Sequence, residues 1–229
     1  MSGMATVTHA CTRALAAAGL AVALAGATGC APNVVGRTAE GAEIVQIPLR
    51  LSNAYLIKTR TPILIDTGTY GDMPELERQL IDNGVGVRDL RLVIVTHAHA
   101  DHAGLASELR QRTGAKIVLG AGDVDQAGRG KNDDLKPTSF FAGLIKPTIP
   151  SNFPEFTPDA PVSEPLDLAP WGIQGKVVQM PGHTPGSVVV VLANQQEEKR
   201  ELTVALGTSR RVVILPPKSF ATLVLGPGH

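Results

Sequence analysis

The stretch from Leu90 to Gly104, LRLVIVTHAHADHAG, constrains the fold more than any other part of this 229-residue chain. Leu92–Val95 is a continuous apolar run rich in β-branched residues. That is the pattern of a strand buried on both faces, and such a strand needs elements packed on either side of its sheet. The run ends in His97-Ala-His99-Ala-Asp101-His102. At an extended strand end, residues i and i+2 face the same way, so His97 and His99 converge. The spacing then predicts a turn into a helix, with Asp101 and His102 in its first turn pointing back at the same place. Neutral imidazole and carboxylate are the ligand types that suit Zn²⁺ and related transition metals.

The chain has only six histidines. His9 lies near the N-terminus, three stand in the cluster, His183 sits in the Gly/Pro-rich MPGHTPGS, and His229 in the terminal LGPGH. No histidine beyond the first 29 residues is left over for a bland surface or core position. Cysteine cannot substitute as a metal ligand set or form a framework, because there are just two, Cys11 and Cys30.

Around the cluster the first half alternates strand and helix signals, which argues for an α/β arrangement. Strands are predicted at EIVQIPL (43–49), NAYLIKT (53–59), PILIDTG (62–68), LRLVIVTH (90–97) and AKIVLGA (115–121). Helices are predicted at 73–84, stopped by Gly84, and at 101–114, stopped by Gly114. The later segments GKVVQMP, SVVVVLAN, ELTVALG, RVVILPP and ATLVLGP read as strands. Between the halves, residues 131–170 hold eight of the 17 prolines and four of the five phenylalanines: Phe140, Phe141, Phe153 and Phe156. Two readings stay open there. With Leu144, Ile145 and Ile149 these rings line an apolar acyl pocket under a lid, or they pack into the core as a helical excursion.

THAHADH (96–102), PGHTPGS (181–187) and LIDTG (64–68) together, in this order, resemble the motifs of the metallo-β-lactamase superfamily. The resemblance implies an αββα four-layer sandwich with a metal cleft at its edge. His97, His99 and His183 would hold a first metal, and Asp101, His102 and His229 a second. Asp66 would orient a ligand from behind. The implied activity is hydrolysis of a lactone, thioester or β-lactam by metal-held hydroxide, with Asp101 as the catalytic proton acceptor. One or two zinc ions are expected, with iron or manganese as alternatives. The alternative function is a non-catalytic metal-binding envelope protein with a degenerate second site.

The match weakens towards the end. Many relatives carry a bridging Gly-Asp where this chain has Gly207-Thr208, and no aspartate follows Asp167. Either His229 completes a six-ligand pair of sites, or the sandwich is incomplete at the C-terminus and one metal dominates. Glu197, Glu198 and Glu201 fall in a charged run, QQEEKRE, that reads as a solvated turn.

Residues 1–29 are expected to be an export signal, 30–42 a linker, and 43–229 the domain. The apolar run 14–27, ALAAAGLAVALAGA, is shorter than the roughly 20 residues of a membrane span. It ends at Ala27-Thr-Gly-Cys30, which resembles the lipobox of bacterial lipoproteins. Acylation of Cys30 would make a membrane-anchored lipoprotein; simple cleavage would leave a periplasmic or secreted protein, and an uncleaved anchor is the third option. Lys plus Arg equals Asp plus Glu, 21 each, so no charge surplus points to nucleic acid. The expected partner is a small-molecule substrate; the oligomeric state is left open.

Overall fold

The computed structural model describes residues 33–133, 148–194, 200–206, 209–215 and 219–223. Its main sheet has seven strands in chain order: β1 (Val34–Arg37), β2 (Glu43–Pro48), β3 (Asn53–Ile57), β4 (Ile63–Ile65), β5 (Leu92–Val95), β6 (Lys116–Gly120) and β7 (Ala160–Val162). Neighbours from β1 to β4 run antiparallel, and those from β4 to β7 run parallel. A second sheet has four antiparallel strands, ordered β13 (Ser219–Leu223), β10 (Val188–Asn194), β9 (Gly175–Gln179) and β8 (Leu166–Asp167). A hairpin of β11 (Arg200–Leu206) and β12 (Ser209–Leu215) completes the strands.

The wholly buried strands β4 and β5 divide their side chains between two cores. Leu64, Val93 and Val95 face helices α1 (Met73–Asp82), α3 (Ala106–Thr113) and α4 (Val124–Arg129), meeting Leu76, Leu80, Leu109 and Ala127. Ile63, Ile65, Leu92 and Ile94 face the second sheet and meet Val177, Val188, Val190 and Leu192. Period-two alternation thus explains why one short run must be apolar throughout: it is the wall between two hydrophobic cores. The result is a mixed α/β sandwich. Among the described residues its helices cover the outer face of the seven-stranded sheet.

Three expectations need correcting. Within the stretch read as a linker, 30–42, Val34–Arg37 pairs with β2 as an edge strand. The helix expected over 101–114 is two pieces, α2 (Ala100–Ala103) and α3, broken at Gly104-Leu105. The loop after β4 cuts between them: Gly104 N–H donates to the Gly68 carbonyl at 3.0 Å and Leu105 N–H to Thr67 Oγ1 at 3.0 Å. These donors are therefore lost to a continuous helix. Finally, Glu201 lies in β11, in keeping with the strand reading of ELTVALG and against the turn reading of QQEEKRE at that residue. Phe153 and Phe156 take the core option, buried in the helix-side core with ring centroids 6.3 Å apart. Ile149 is exposed. Phe140, Phe141, Leu144 and Ile145 lie outside the described residues, as do residues 1–29, Cys30, Glu197, Glu198, Gly207, Thr208 and His229.

Candidate metal centre

All the described histidines meet at one end of the sandwich. Thr96 follows β5, and its carbonyl accepts a hydrogen bond from Val188 N–H of β10 at 2.8 Å, which closes the two sheets together. Asp66, the residue after β4, supports the loop from below. Its Oδ1 accepts from Thr96 N–H at 2.7 Å, and its Oδ2 from Thr96 Oγ1 at 2.9 Å and from His102 Nδ1 at 2.8 Å. Among the described residues, Asp66 is the non-glycine residue with positive φ, 59°. That left-handed conformation is uncommon outside glycine, although aspartate tolerates it better than most, and here three hydrogen bonds on its carboxylate hold it there.

The cluster itself is compact. One ligand atom from each of His97, His99 and His183 lies within 4.8 Å of the other two. His183 Nε2 stands 3.1 Å from His99 Nδ1. His97 contacts Thr96 Oγ1 through Nδ1, but its Nε2 is buried with no hydrogen-bond partner among the described residues. A buried imidazole nitrogen left without a partner costs about 1–3 kcal/mol unless something else satisfies it. A cation between the three rings would do so, and the three-imidazole donor set suits Zn²⁺. Alongside, His102 Nε2 stands 3.3 Å from Asp101 Oδ2, and the His102 ring lies 4.2 Å from that of His97.

Electrostatics separates these groups. Burial, reinforced by the neighbouring imidazoles, pushes His97 well below the ordinary histidine value. Burial does the same to His99, aided by His183, and to His183, aided by His102. All three are therefore neutral at pH 7, the form that donates a lone pair. His102 goes the other way. Burial lowers it, but the carboxylates of Asp66 and Asp101 outweigh that and raise it to about 10. Asp101 is raised by burial, yet its contact with His102 dominates and holds the carboxyl below the usual range.

The backbone of the His97–His102 loop is tied at almost every residue. Ala98 N–H donates to Asp123 Oδ2 at 2.9 Å, and the Ala98 carbonyl accepts from Gln126 Nε2 at 2.6 Å. Ala100 N–H donates to Asn132 Oδ1 at 2.8 Å. Ser52 Oγ, from the β2–β3 hairpin, donates to the Asp101 carbonyl. Thr67 donates to the His102 carbonyl from both N–H and Oγ1, each at 2.8 Å. The His183 turn is fastened to Asp123 by Thr184 and Gly186, and otherwise mostly within itself: Thr184 N–H to Ser187 Oγ, Gly182 N–H to the Thr184 carbonyl, and Gln179 Nε2 to the Pro185 carbonyl. Gly120 and Gly186 let the two loops touch, since a Cβ on Gly120 would collide with the Gly186 carbonyl.

The structure thus brings together His97, His99 and His183, sets Asp101 and His102 beside them, and places Asp66 against His102. His229 falls outside the described residues. Sequence reasoning missed Asp123, Gln126 and Asn132. The available signal was the Gly-x-Gly-Asp at 120–123 after a strand, a pattern of close backbone approach followed by a carboxylate.

Residues 47–196 match the model of the metallo-β-lactamase superfamily. A protein of Methanocaldococcus jannaschii, named as a "probable metallo-hydrolase", is 29% identical over 143 residues, which are 62% of this chain and 63% of that protein. A subclass B3 metallo-β-lactamase of Bradyrhizobium japonicum superposes with a TM-score of 0.53 at 25% identity, covering 76% of this chain and 59% of its own. A metallo-β-lactamase of Legionella gormanii superposes with a TM-score of 0.56 at 20% identity over 80% of this chain and 62% of its own, a likeness of fold alone. This chain spans less than two thirds of the length of each of these relatives. With the family match extending over more than half the chain, and the three-histidine cluster at the end of β5 inside it, the chain belongs to the metallo-β-lactamase superfamily.

Proposed function

We propose that the chain is a metal-dependent hydrolase, zinc being the metal the donors suit best, acting on a carbonyl substrate such as a lactone, thioester or β-lactam. The observation that carries this reading is the buried Nε2 of His97, which has no partner among the described residues and faces neutral His99 and His183. His97, His99 and His183 would hold the first cation; Asp101 would contribute to a second, with His102, once a cation displaces its proton, and His229 as further ligands. A cation held there supplies Lewis acidity, lowering the pKa of water from 15.7 towards about 7 and polarising a carbonyl oxygen.

The chain's own residues do the rest. Burial keeps the three imidazoles deprotonated. Asp66 holds Nδ1 of His102 and so turns its Nε2 towards Asp101. Asp101 is ionised, with its side chain 27% exposed, so its carboxylate can accept a proton at the mouth of the site. Export and acylation at Cys30 would place the enzyme in the cell envelope; radiolabelled palmitate incorporated into the chain and lost in Cys30→Ser would support this.

The test is the purified full chain loaded with Zn²⁺ and assayed on a lactone and thioester panel beside nitrocefin. Turnover abolished by Asp101→Ala, with metal still bound, supports the reading. Tight metal binding with no turnover on any panel member would favour the non-catalytic envelope protein instead. Calorimetric titration is expected to show two unequal sites, the three-histidine site being tighter; two equally tight sites would contradict the ligand assignment.

A further inference from the structure

Asp123 has no role in the reading above, yet it is wholly buried and sits directly behind the three-histidine cluster. It follows β6 in the seven-stranded sheet. Its Oδ2 accepts from Ala98 N–H, the residue between His97 and His99, at 2.9 Å and from Thr184 Oγ1, the residue after His183, at 2.7 Å. Its Oδ1 accepts from Gly186 N–H at 2.7 Å. No ion pair to Asp123 occurs among the described residues. An isolated buried carboxylate is expensive to desolvate, and these three donors are its compensation.

We propose that Asp123 is the positioning residue of the first metal site: a carboxylate strut between the two sheets that sets the separation of His97 and His99 from His183. The inference rests on the metal-hydrolase reading. One carboxyl group reaches the backbone of one ligand loop and both a hydroxyl and a backbone N–H of the other. The three ligands arise from chain segments 84 residues apart, His99 to His183, and among the described residues a single backbone bond, Val188 N–H to the Thr96 carbonyl, joins their flanks. Asp123 adds a side-chain link at the ligands themselves, through the residues next to them in the chain, Ala98 and Thr184. It also places a negative charge behind a donor set of three neutral rings, which favours a cation over an empty site.

Asparagine is the informative substitution. In either amide orientation its Nδ2–H meets a backbone N–H, that of Gly186 or that of Ala98, so the three-bond strut is broken and its negative charge is removed. The experiment compares the wild-type chain with Asp123→Asn, Thr184→Val, Thr184→Ser and Leu109→Ala. Leu109 is a fully buried α3 side chain of the helix-side core and serves as a stability control. Zn²⁺ affinity is measured by competition with a chromophoric chelator, site geometry by the d–d spectrum of the Co²⁺ form, and fold stability by thermal unfolding of the metal-free chains.

Asp123→Asn is expected to weaken the tighter site about 10–100-fold, with an altered Co²⁺ spectrum. Thr184→Val, which removes one of the three donors, is expected to lose a few-fold in affinity, and Thr184→Ser to regain it. Leu109→Ala should lower the melting temperature while leaving the affinity and the spectrum unchanged. Wild-type affinity and spectrum in Asp123→Asn would overturn the inference, and so would an equal loss of affinity in Leu109→Ala. If Asp123→Asn does not fold, Thr184→Val decides: affinity within error of wild type overturns the strut. A wild-type chain that binds no metal would instead break the functional reading on which the inference rests.

Discussion

The two loops that carry the first-site ligands are built differently. The His97–His102 loop belongs to the seven-stranded sheet, and its histidines are buried, with His97 at 2% exposure. Its backbone is bonded to Asp66, Asp123, Gln126, Asn132, Ser52 and Thr67. The His183 turn belongs to the four-stranded sheet, its histidine is exposed, and Asp123 supplies its anchor across to the other sheet. One side is therefore a preformed pair of donors held by residues distant in the chain, and the other a single exposed donor on a turn bonded mostly within itself. A cation bridging them joins the two sheets as well as serving chemistry. A site built this way should gain much of its rigidity from the ion.

The largest effect that can break this comparison is metal removal. Chelation should lower unfolding stability by about 4 kcal/mol relative to protein in Zn²⁺ at 1,000 times its dissociation constant. Calorimetry with and without chelator checks it, and identical melting curves would show that the sheets need no ion. Next, the tied loop should cost more to loosen than the turn. In the metal-free chain, Asp66→Ala strips the acceptor from Thr96 N–H, Thr96 Oγ1 and His102, at about 3 kcal/mol, while Ser187→Ala removes the hydroxyl partner of Thr184 N–H and Thr184 Oγ1, at about 1 kcal/mol. Denaturant unfolding measures both, and a reversed ranking would invert the comparison.

A pH series sharpens it further. His97, His99 and His183 are held below their ordinary value of 6.5 by burial, so the unfolded chain takes up protons first. Their contribution is full above pH 6.5 and is lost as the pH falls below it. His102, raised to about 10 despite burial, behaves oppositely: its pairing with Asp66 and Asp101 stabilises fully below 6.5 and is lost as the pH rises through about 10. The melting temperature of the metal-free chain should thus fall on both flanks of neutrality, and a flat acid flank would contradict the buried neutral imidazoles. The smallest expected effect has the opposite sign. His97→Leu replaces the partnerless nitrogen with apolar atoms, and should stabilise the metal-free protein by about 1 kcal/mol while abolishing tight metal binding.

Much of this was legible before any coordinates. The β-branched run Leu92–Val95 announced a doubly buried strand because alternate residues had to fill two cores, and the structure puts Val93 and Ile94 in different ones. The His97–His102 spacing announced convergence because strand geometry alone makes i and i+2 neighbours. Edge strand β1 was hidden because Val34–Arg37, four residues with a glycine third, is too short to show an alternation. The break at Gly104 was hidden because local pattern favours a continuous helix there; the competing acceptors, Gly68 and Thr67, come from some 36 residues earlier in the chain.

Residue type and spacing therefore determined which side chains could bind a cation and on which elements they would ride, since both depend on local backbone geometry. Tertiary structure alone decided how those elements are held: that Asp66 sits under His102, that Asp123 spans the sheets, and that His97 Nε2 is sealed from water with no partner among the described residues. These are matters of distance between segments far apart along the chain, and of the desolvation that packing imposes on them. Neither quantity is encoded in any short window of residues.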